Sequence, residues 1–177
     1  MDDAKRELLY EGKHVRLFRI GHWEFADRVK GSGAVVIVAI TPEGNLLLTE
    51  QFRLPVNANV IELPAGIAGD LAGHEQEALA TAAHRELLEE TGYEAKNMTF
   101  LTTGPPSAGL ATEIVTFMLA THLRCVNSGG GDEHENITVH QVPLKDVPAW
   151  LNQKAAQGLM IDPKVYAGLY FAHQPTM

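Results

Sequence analysis

Seven apolar residues, Ala34-Val35-Val36-Ile37-Val38-Ala39-Ile40, follow one another without a polar interruption. A β-branched run of that length predicts a strand covered on both faces. The turn-rich Thr41-Pro42-Glu43-Gly44-Asn45 follows, then Leu46-Leu47-Leu48-Thr49, which together predict a hairpin. Upstream, residues 14–20 and 23–28 read as short extended segments around a Gly21-His22 turn, and Gly31-Ser32-Gly33 breaks the pattern. That break predicts an N-terminal β subdomain over residues 1–32 and a main domain over 33–177. Further strands are expected over 59–63, closed by Pro64-Ala65-Gly66, and over 98–102, 113–122 and 137–142. Residues 74–91 turn rich in Ala, Leu and Glu and predict a helix, with Gly92 placed as its C-cap. Asp146 and Pro148 open a second helix that stops at Gly158, and Asp162-Pro163 opens a third. The expected class is α/β (α+β), a mixed sheet with one central helix and C-terminal helices.

Composition narrows what such a fold does. The chain has 177 residues, 45% of them hydrophobic and 20% charged, which fits one cored domain with a small appendage. Its longest apolar run is too short to span a bilayer, and Met1-Asp2-Asp3 places acid where a signal peptide has base, so a soluble, cytoplasmic protein is expected. The single cysteine, Cys125, excludes an internal disulfide framework and a multi-cysteine zinc site. Against 14 Lys+Arg stand 22 Asp+Glu, a net charge of -8. Membrane surfaces and nonspecific nucleic-acid binding are disfavoured, because a polyanion is repelled overall. An anionic ligand would need cations to mediate.

Residues 77–93, EALATAAHRELLEETGY, show where those cations would sit. On a helix turning about 100° per residue, Glu86, Glu89 and Glu90 fall within an arc of about 100°. Leu79, Ala83 and Leu87 flank that arc and suit packing on a sheet, while Arg85 stands one turn before Glu89. A solvated acidic face with an incidental ion pair is the plain alternative. Against it, like charges at Glu86 and Glu90 cost roughly a few tenths of a kcal/mol, and clustered carboxylates raise one another's pKa unless a cation neutralises them. Hard oxygen ligands select Mg²⁺, with Mn²⁺ as a possible substitute, and a divalent ion suits a phosphate substrate.

The spacing of Glu77, Arg85-Glu86-Leu87, Glu89-Glu90 and Gly92-Tyr93 resembles the Nudix box of hydrolases that split nucleoside diphosphates linked to another moiety. The box's opening glycine would fall at Leu71. Gly66 is taken as its structural equivalent and residues 67–76 as an insertion. Glu50-Gln51-Phe52-Arg53-Leu54-Pro55, Glu62-Leu63-Pro64-Ala65-Gly66 and Glu133-His134-Glu135-Asn136-Ile137 are similar to the ADP-ribose and nucleoside diphosphate sugar pyrophosphatase branch. The resemblance implies an αβα Nudix sandwich, Mg²⁺ ions, water as nucleophile and two phosphate monoesters as products. It places metal on Glu86 and Glu90, with Glu89 assisting and the Ala65 carbonyl completing the sphere, and gives Arg85 the task of orienting these carboxylates.

The same resemblance puts the general base at Glu133 and a metal ligand at Glu135, with the two roles exchangeable. Gly129-Gly130-Gly131, just before them, are expected to give that loop mobility. Arg53 is a candidate phosphate clamp, since a guanidinium binds phosphate oxygens bidentately. Glu113, beyond the turn-rich stretch ending at Gly109, resembles the family's substrate-loop acid, and Trp23 is a candidate to stack on a nucleobase. Three functions stay open: a hydrolase of ADP-ribose or a related nucleoside diphosphate sugar; one of GDP-sugars, dinucleotides or capped RNA; or a catalytically silent nucleotide-binding module. Two short strands beyond the Gly-Ser-Gly break bury little alone, so a homodimer is expected, with these strands as an exchange element.

Overall fold

The computed structural model describes residues 5–70, 73, 75–131 and 135–174. Glu133 and Leu71 lie outside the described residues. Strands β1 (Glu7–Glu11), β2 (Val15–Ile20) and β3 (Trp23–Arg28) form an antiparallel three-stranded sheet. The sequence reading begins its strands at residue 14, one strand late. β1 is a short, mostly exposed strand with a register shift between Leu8 and Tyr10, so it shows little alternation to detect. Gly21, at φ +60°, makes the tight turn between β2 and β3.

The rest of the chain builds two four-stranded sheets rather than one. β4 (Gly33–Ala39) lies in the order β7-β4-β9-β8, with β7 (Ala65–Ala68), β8 (Tyr93–Gly104) and β9 (Val115–Cys125). The second sheet runs β10-β5-β6-β11, from β5 (Asn45–Arg53), β6 (Ala58–Glu62), β10 (Thr138–Pro143) and β11 (Met160–Ile161). Both are mixed, through the parallel pairs β4·β9 and β6·β11.

Alternation along β4 divides the core. Val36 and Val38 join Leu46, Leu48, Ile61, Phe117 and residues of helices α2 (Val147–Ala156) and α3 (Pro163–Ala172). Val35, Ile37 and Ala39 pack instead with Ala82, Ala83 and Leu87 of helix α1 (Leu79–Thr91). Helices therefore cover opposite sides of the strands, the αβα arrangement expected.

Helix α1 starts at Leu79, five residues later than the composition suggests. Its N-cap, Ala78, has no side-chain oxygen to accept from the first turn. At the other end Gly92, at φ +76°, returns its N–H to the Leu88 carbonyl at 2.9 Å. β7 occupies what reads as a closing turn, because Ala65-Gly66-Ile67-Ala68 has too little bulk to signal a strand. No helix among the described residues is long and apolar enough to cross a membrane.

Candidate active site

Arg85 is the hub of the conspicuous helix. Its Nε and Nη2 donate to both Glu77 carboxylate oxygens at 3.2 and 3.1 Å, and Nη2 also donates to the Ile67 carbonyl at 3.1 Å. Nη1 donates to Glu86 at 2.9 Å and to Glu89 at 3.2 Å. Those bonds, with Glu77 foremost, push the guanidinium further into its charged form. Arg85 thus ties the helix to β7.

Glu90 is 3% exposed, and its Oε2 accepts the Ala65 N–H at 3.1 Å. Burial pushes its carboxyl up to about 9, against that amide's pull and with added repulsion from Glu86 and Glu135. Burial likewise raises Glu86 to about 7, opposed by Arg85 and reinforced by Glu89 and Asp70. Gly66 explains how β7 comes so close: a Cβ there would sit 1.9 Å from the Glu86 carboxyl carbon. Two buried carboxylates with raised pKa values, beside a third at Glu135, form a donor set that a hard divalent cation would relieve. As placed, no three acidic, histidine or cysteine side chains among the described residues converge into a closed metal cluster.

These carboxylates line a cleft of about 320 Å³ together with Glu62, Asp70 and Glu113, while Arg28, Arg53 and Lys164 bring positive charge to it. Arg53 is held by Glu62, Nε to Oε2 at 2.8 Å, and burial raises the Glu62 carboxyl despite Arg53. Glu113 accepts from Arg28 Nε at 2.5 Å, which anchors β3 at the cleft. Glu89 does not line the cleft; its half-exposed carboxylate is spent on Arg85.

Trp23 and Gly109 meet each other away from the cleft lining, the indole N–H donating to the Gly109 carbonyl at 3.2 Å. They sit where the segment 107–112 docks along β3, through Ala26 N–H to the Leu110 carbonyl and Thr112 N–H to the Ala26 carbonyl. The three loop glycines do something other than loosen the chain. Gly130 and Gly131 donate their N–H groups to the carbonyls of Glu90 and Glu89 at 2.9 and 3.1 Å. Gly129, at φ +62°, passes so close that a Cβ would fall 2.4 Å from the Thr91 carbonyl carbon. The 129–131 segment is docked on the last turn of α1.

Sequence reasoning missed Arg28, Glu62 and Lys164 as cleft residues. Glu62 was signalled by its place in the Glu-Leu-Pro-Ala-Gly stretch, but Arg28 and Lys164 reach the cleft only through long-range packing of β3 and α3, which leaves no local pattern.

Comparison with known proteins adds an independent line. The NUDIX domain family matches residues 31–160. The chain is 36% identical over 148 residues to an ADP-ribose pyrophosphatase of Bacillus subtilis (strain 168), covering 80% of this chain and 77% of that protein. It is 34% identical over 158 residues to a GDP-mannose pyrophosphatase of Pectobacterium atrosepticum, covering 85% and 74%, and 31% identical over 157 residues to a methanol dehydrogenase activator of Bacillus methanolicus, covering 85% and 82%. A crystal structure of an ADP compounds hydrolase shares the fold at TM-score 0.64 and 19% identity, covering 82% of this chain and 80% of that one.

Proposed function

From the premise that the chain belongs to the NUDIX family, we propose that it is a Mg²⁺-dependent pyrophosphohydrolase of ADP-ribose or a related nucleoside diphosphate sugar. The observation that carries this reading is the pair Glu86 and Glu90, buried with raised pKa values in a cleft that also holds Arg28, Arg53 and Lys164. Anionic ligands for a metal and cationic groups for phosphate oxygens thus occupy one cavity.

Glu86, Glu90 and Glu135 are the ligands in this reading, with the Ala65 carbonyl completing the sphere and Glu89 assisting from outside the cleft through its bond to Arg85. A bound Mg²⁺, or Mn²⁺ in its place, would neutralise charge on the diphosphate and acidify the attacking water. Arg53 holds phosphate oxygens, preset by Glu62. Arg85 fixes Glu86 through a direct hydrogen bond without touching substrate. The base that takes the water proton is Glu133, or Glu135 in exchanged roles. The water oxygen bonds to one phosphorus, the bridging P–O bond breaks, and its electron pair leaves with the second phosphate. ADP-ribose yields AMP and ribose 5-phosphate.

A groove of about 810 Å³ adjoins the cleft through Arg53, Glu62 and Lys164, and its apolar walls of Val56, Val60, Phe117, Met160 and Ile161 suit the nucleoside. Glu113 is positioned by Arg28 to meet a sugar hydroxyl. The likeness to a GDP-mannose pyrophosphatase favours GDP-sugars as the second reading. We assign a cytoplasmic location and a homodimer. In the dimer the apolar face of the N-terminal sheet, Leu8, Phe18, Ile20, Trp23 and Phe25, meets a second copy and brings Trp23 and Gly109 toward the partner's substrate.

The deciding experiment is a panel of ADP-ribose, ADP- and GDP-sugars, dinucleotides and nucleoside triphosphates incubated with Mg²⁺. Preferred release of two phosphate monoesters from a nucleoside diphosphate sugar is expected. Cleavage confined to triphosphates, or none at all, would sink the proposal.

A further inference from the structure

A pocket of about 340 Å³ adjoins the cleft through Arg28, Ile67 and Asp70, and shares no lining residue with the apolar groove. Lys13, His14 and Lys30 complete its wall. It forms where the N-terminal sheet meets β7. Val29 donates its N–H to the His14 carbonyl at 3.0 Å, and Ser32 donates its N–H to the Ala68 carbonyl at 2.7 Å. Between them Gly31, at φ +100°, passes so close to β7 that a Cβ would fall 2.5 Å from Ile67 Cγ2. The backbone that carries these cations is thereby held against the body of the protein.

Charge pairing sets the pocket apart. Acids outnumber Lys and Arg by 22 to 14 in this chain, and every arginine has a carboxylate partner, as do Lys154 and Lys164. Lys13, His14 and Lys30 have none among the described residues. Arg28 is answered by Glu113, and Asp70 faces Arg85 at 3.7 Å, so the two lysine ammonium groups remain as the uncompensated charge of the wall. Gathered cations repel one another, and an entering anion relieves that repulsion. A neutral hydroxyl exchanges water for an ammonium at little gain, whereas a carboxylate or phosphate oxygen forms the stronger, charge-assisted hydrogen bond.

The pocket also stands at one end of a row. The apolar groove meets the cleft through Arg53, Glu62 and Lys164, and the basic pocket meets it through Arg28, Ile67 and Asp70. With the nucleoside in the groove and the diphosphate in the cleft, the remaining moiety is directed to Arg28, whose partner Glu113 is set to meet a sugar hydroxyl. Resting on the hydrolase reading above, we infer that the basic pocket binds an anionic group, a carboxylate or a phosphate, carried by the moiety beyond the diphosphate. The preferred substrates are then nucleoside diphosphates of acidic or phosphorylated sugars, selected by Lys13 and Lys30.

The test compares the unmodified protein with a Lys13→Gln, Lys30→Gln double variant, in Mg²⁺, on two substrate pairs. ADP-ribose 1″-phosphate differs from ADP-ribose by one phosphate, and UDP-glucuronate differs from UDP-glucose by one carboxylate. In the unmodified protein the charged member of at least one pair should have the higher kcat/KM, and the pair that responds identifies the anion. In the double variant that preference should fall at least about fivefold, the scale of two partly screened ion pairs. In the unmodified protein it should also shrink as NaCl rises from about 0.05 to about 0.5 M. No preference for either charged member, or a smaller fall in the variant, overturns the inference. Both lysines are exposed and hold no ion pair among the described residues, so their replacement leaves the fold intact. Should the unmodified protein cleave none of the four compounds, the hydrolase reading fails, and calorimetry decides the pocket alone. There ribose 1,5-bisphosphate should bind more tightly than ribose 5-phosphate, or glucuronate 1-phosphate more tightly than glucose 1-phosphate, and the variant should lose the difference. Equal binding within both pairs overturns the anion pocket.

Discussion

A carboxylate as enclosed as Glu90 is held charged only by a partner that replaces water, and the Ala65 N–H is one modest donor. A divalent cation is the stronger answer, so Glu90→Gln should lower kcat by about 100-fold or more while the fold survives. Turnover within a factor of a few of the parent would remove Glu90 from the metal site. The same burial makes stability depend on pH. Glu86 and Glu90 titrate higher in the native state, at about 7 and about 9, than their ordinary value of 4.5. Between those limits the native state holds protons that the unfolded chain has released, so stability is full below about 4.5 and declines as pH rises through the native values. Thermal unfolding in EDTA should show Tm falling from pH ~5 to ~9, with Mg²⁺ flattening the slope and Glu90→Gln making it shallower. A slope unaltered by Mg²⁺ would detach these two residues from cation binding. The glutamates were legible in the sequence because helical periodicity alone puts them on one face. Arg53 was legible as a candidate phosphate clamp, but its bond to Glu62 was not, since the register sets Arg53 opposite Ala58 and Glu62 opposite Thr49 and only the reach of the two side chains joins them.

At the scale of elements, three pieces of backbone meet around α1: β7 at its acidic face, Gly92 at its end, and the 129–131 segment on its last carbonyls. Gly129→Ala should destabilise the protein by about 1–3 kcal/mol in urea unfolding, because a side chain at φ +62° also meets the Thr91 backbone. A loss below about 0.5 kcal/mol would mean the segment relaxes freely away from the helix. Strands with strong alternation or β-branched runs, such as β4 and β9, could be read directly. β7 and β11 could not, the first for its small residues and the second for its length of 2 residues. The helix start was read too early because Ala and Glu are favourable helix residues whether or not the first turn is capped.

For the whole molecule, the N-terminal sheet is joined to the body by hydrogen bonds between β3 and segment 107–112 and by Arg28 on Glu113. One face carries half-exposed apolar side chains, Leu8 at 51% and Trp23 at 52%, around the Arg6 guanidinium stacked 3.6 Å over the Phe18 ring. Sedimentation should therefore give twice the monomer mass, and Leu8→Asp with Ile20→Asp should shift the protein toward monomer. A parent that sediments as a monomer at micromolar concentration would refute the assigned dimer. None of this docking was visible in the chain beyond the Gly31-Ser32-Gly33 break, because contacts 85 residues apart, such as Arg28 with Glu113, have no local signature.

Arg85 has one more effect, on how this chain tolerates change in length. By bonding the Ile67 carbonyl and the Glu77 carboxylate, it clasps both ends of the stretch between them. With both ends held, added chain between them costs only about 0.6 kcal/mol of closure entropy for each doubling in length. Chain can thus be added or removed there while the carboxylates hold their places. A few Gly and Ser residues inserted after Gly73 should leave kcat nearly unchanged, which makes the segment a natural point of divergence between otherwise similar enzymes.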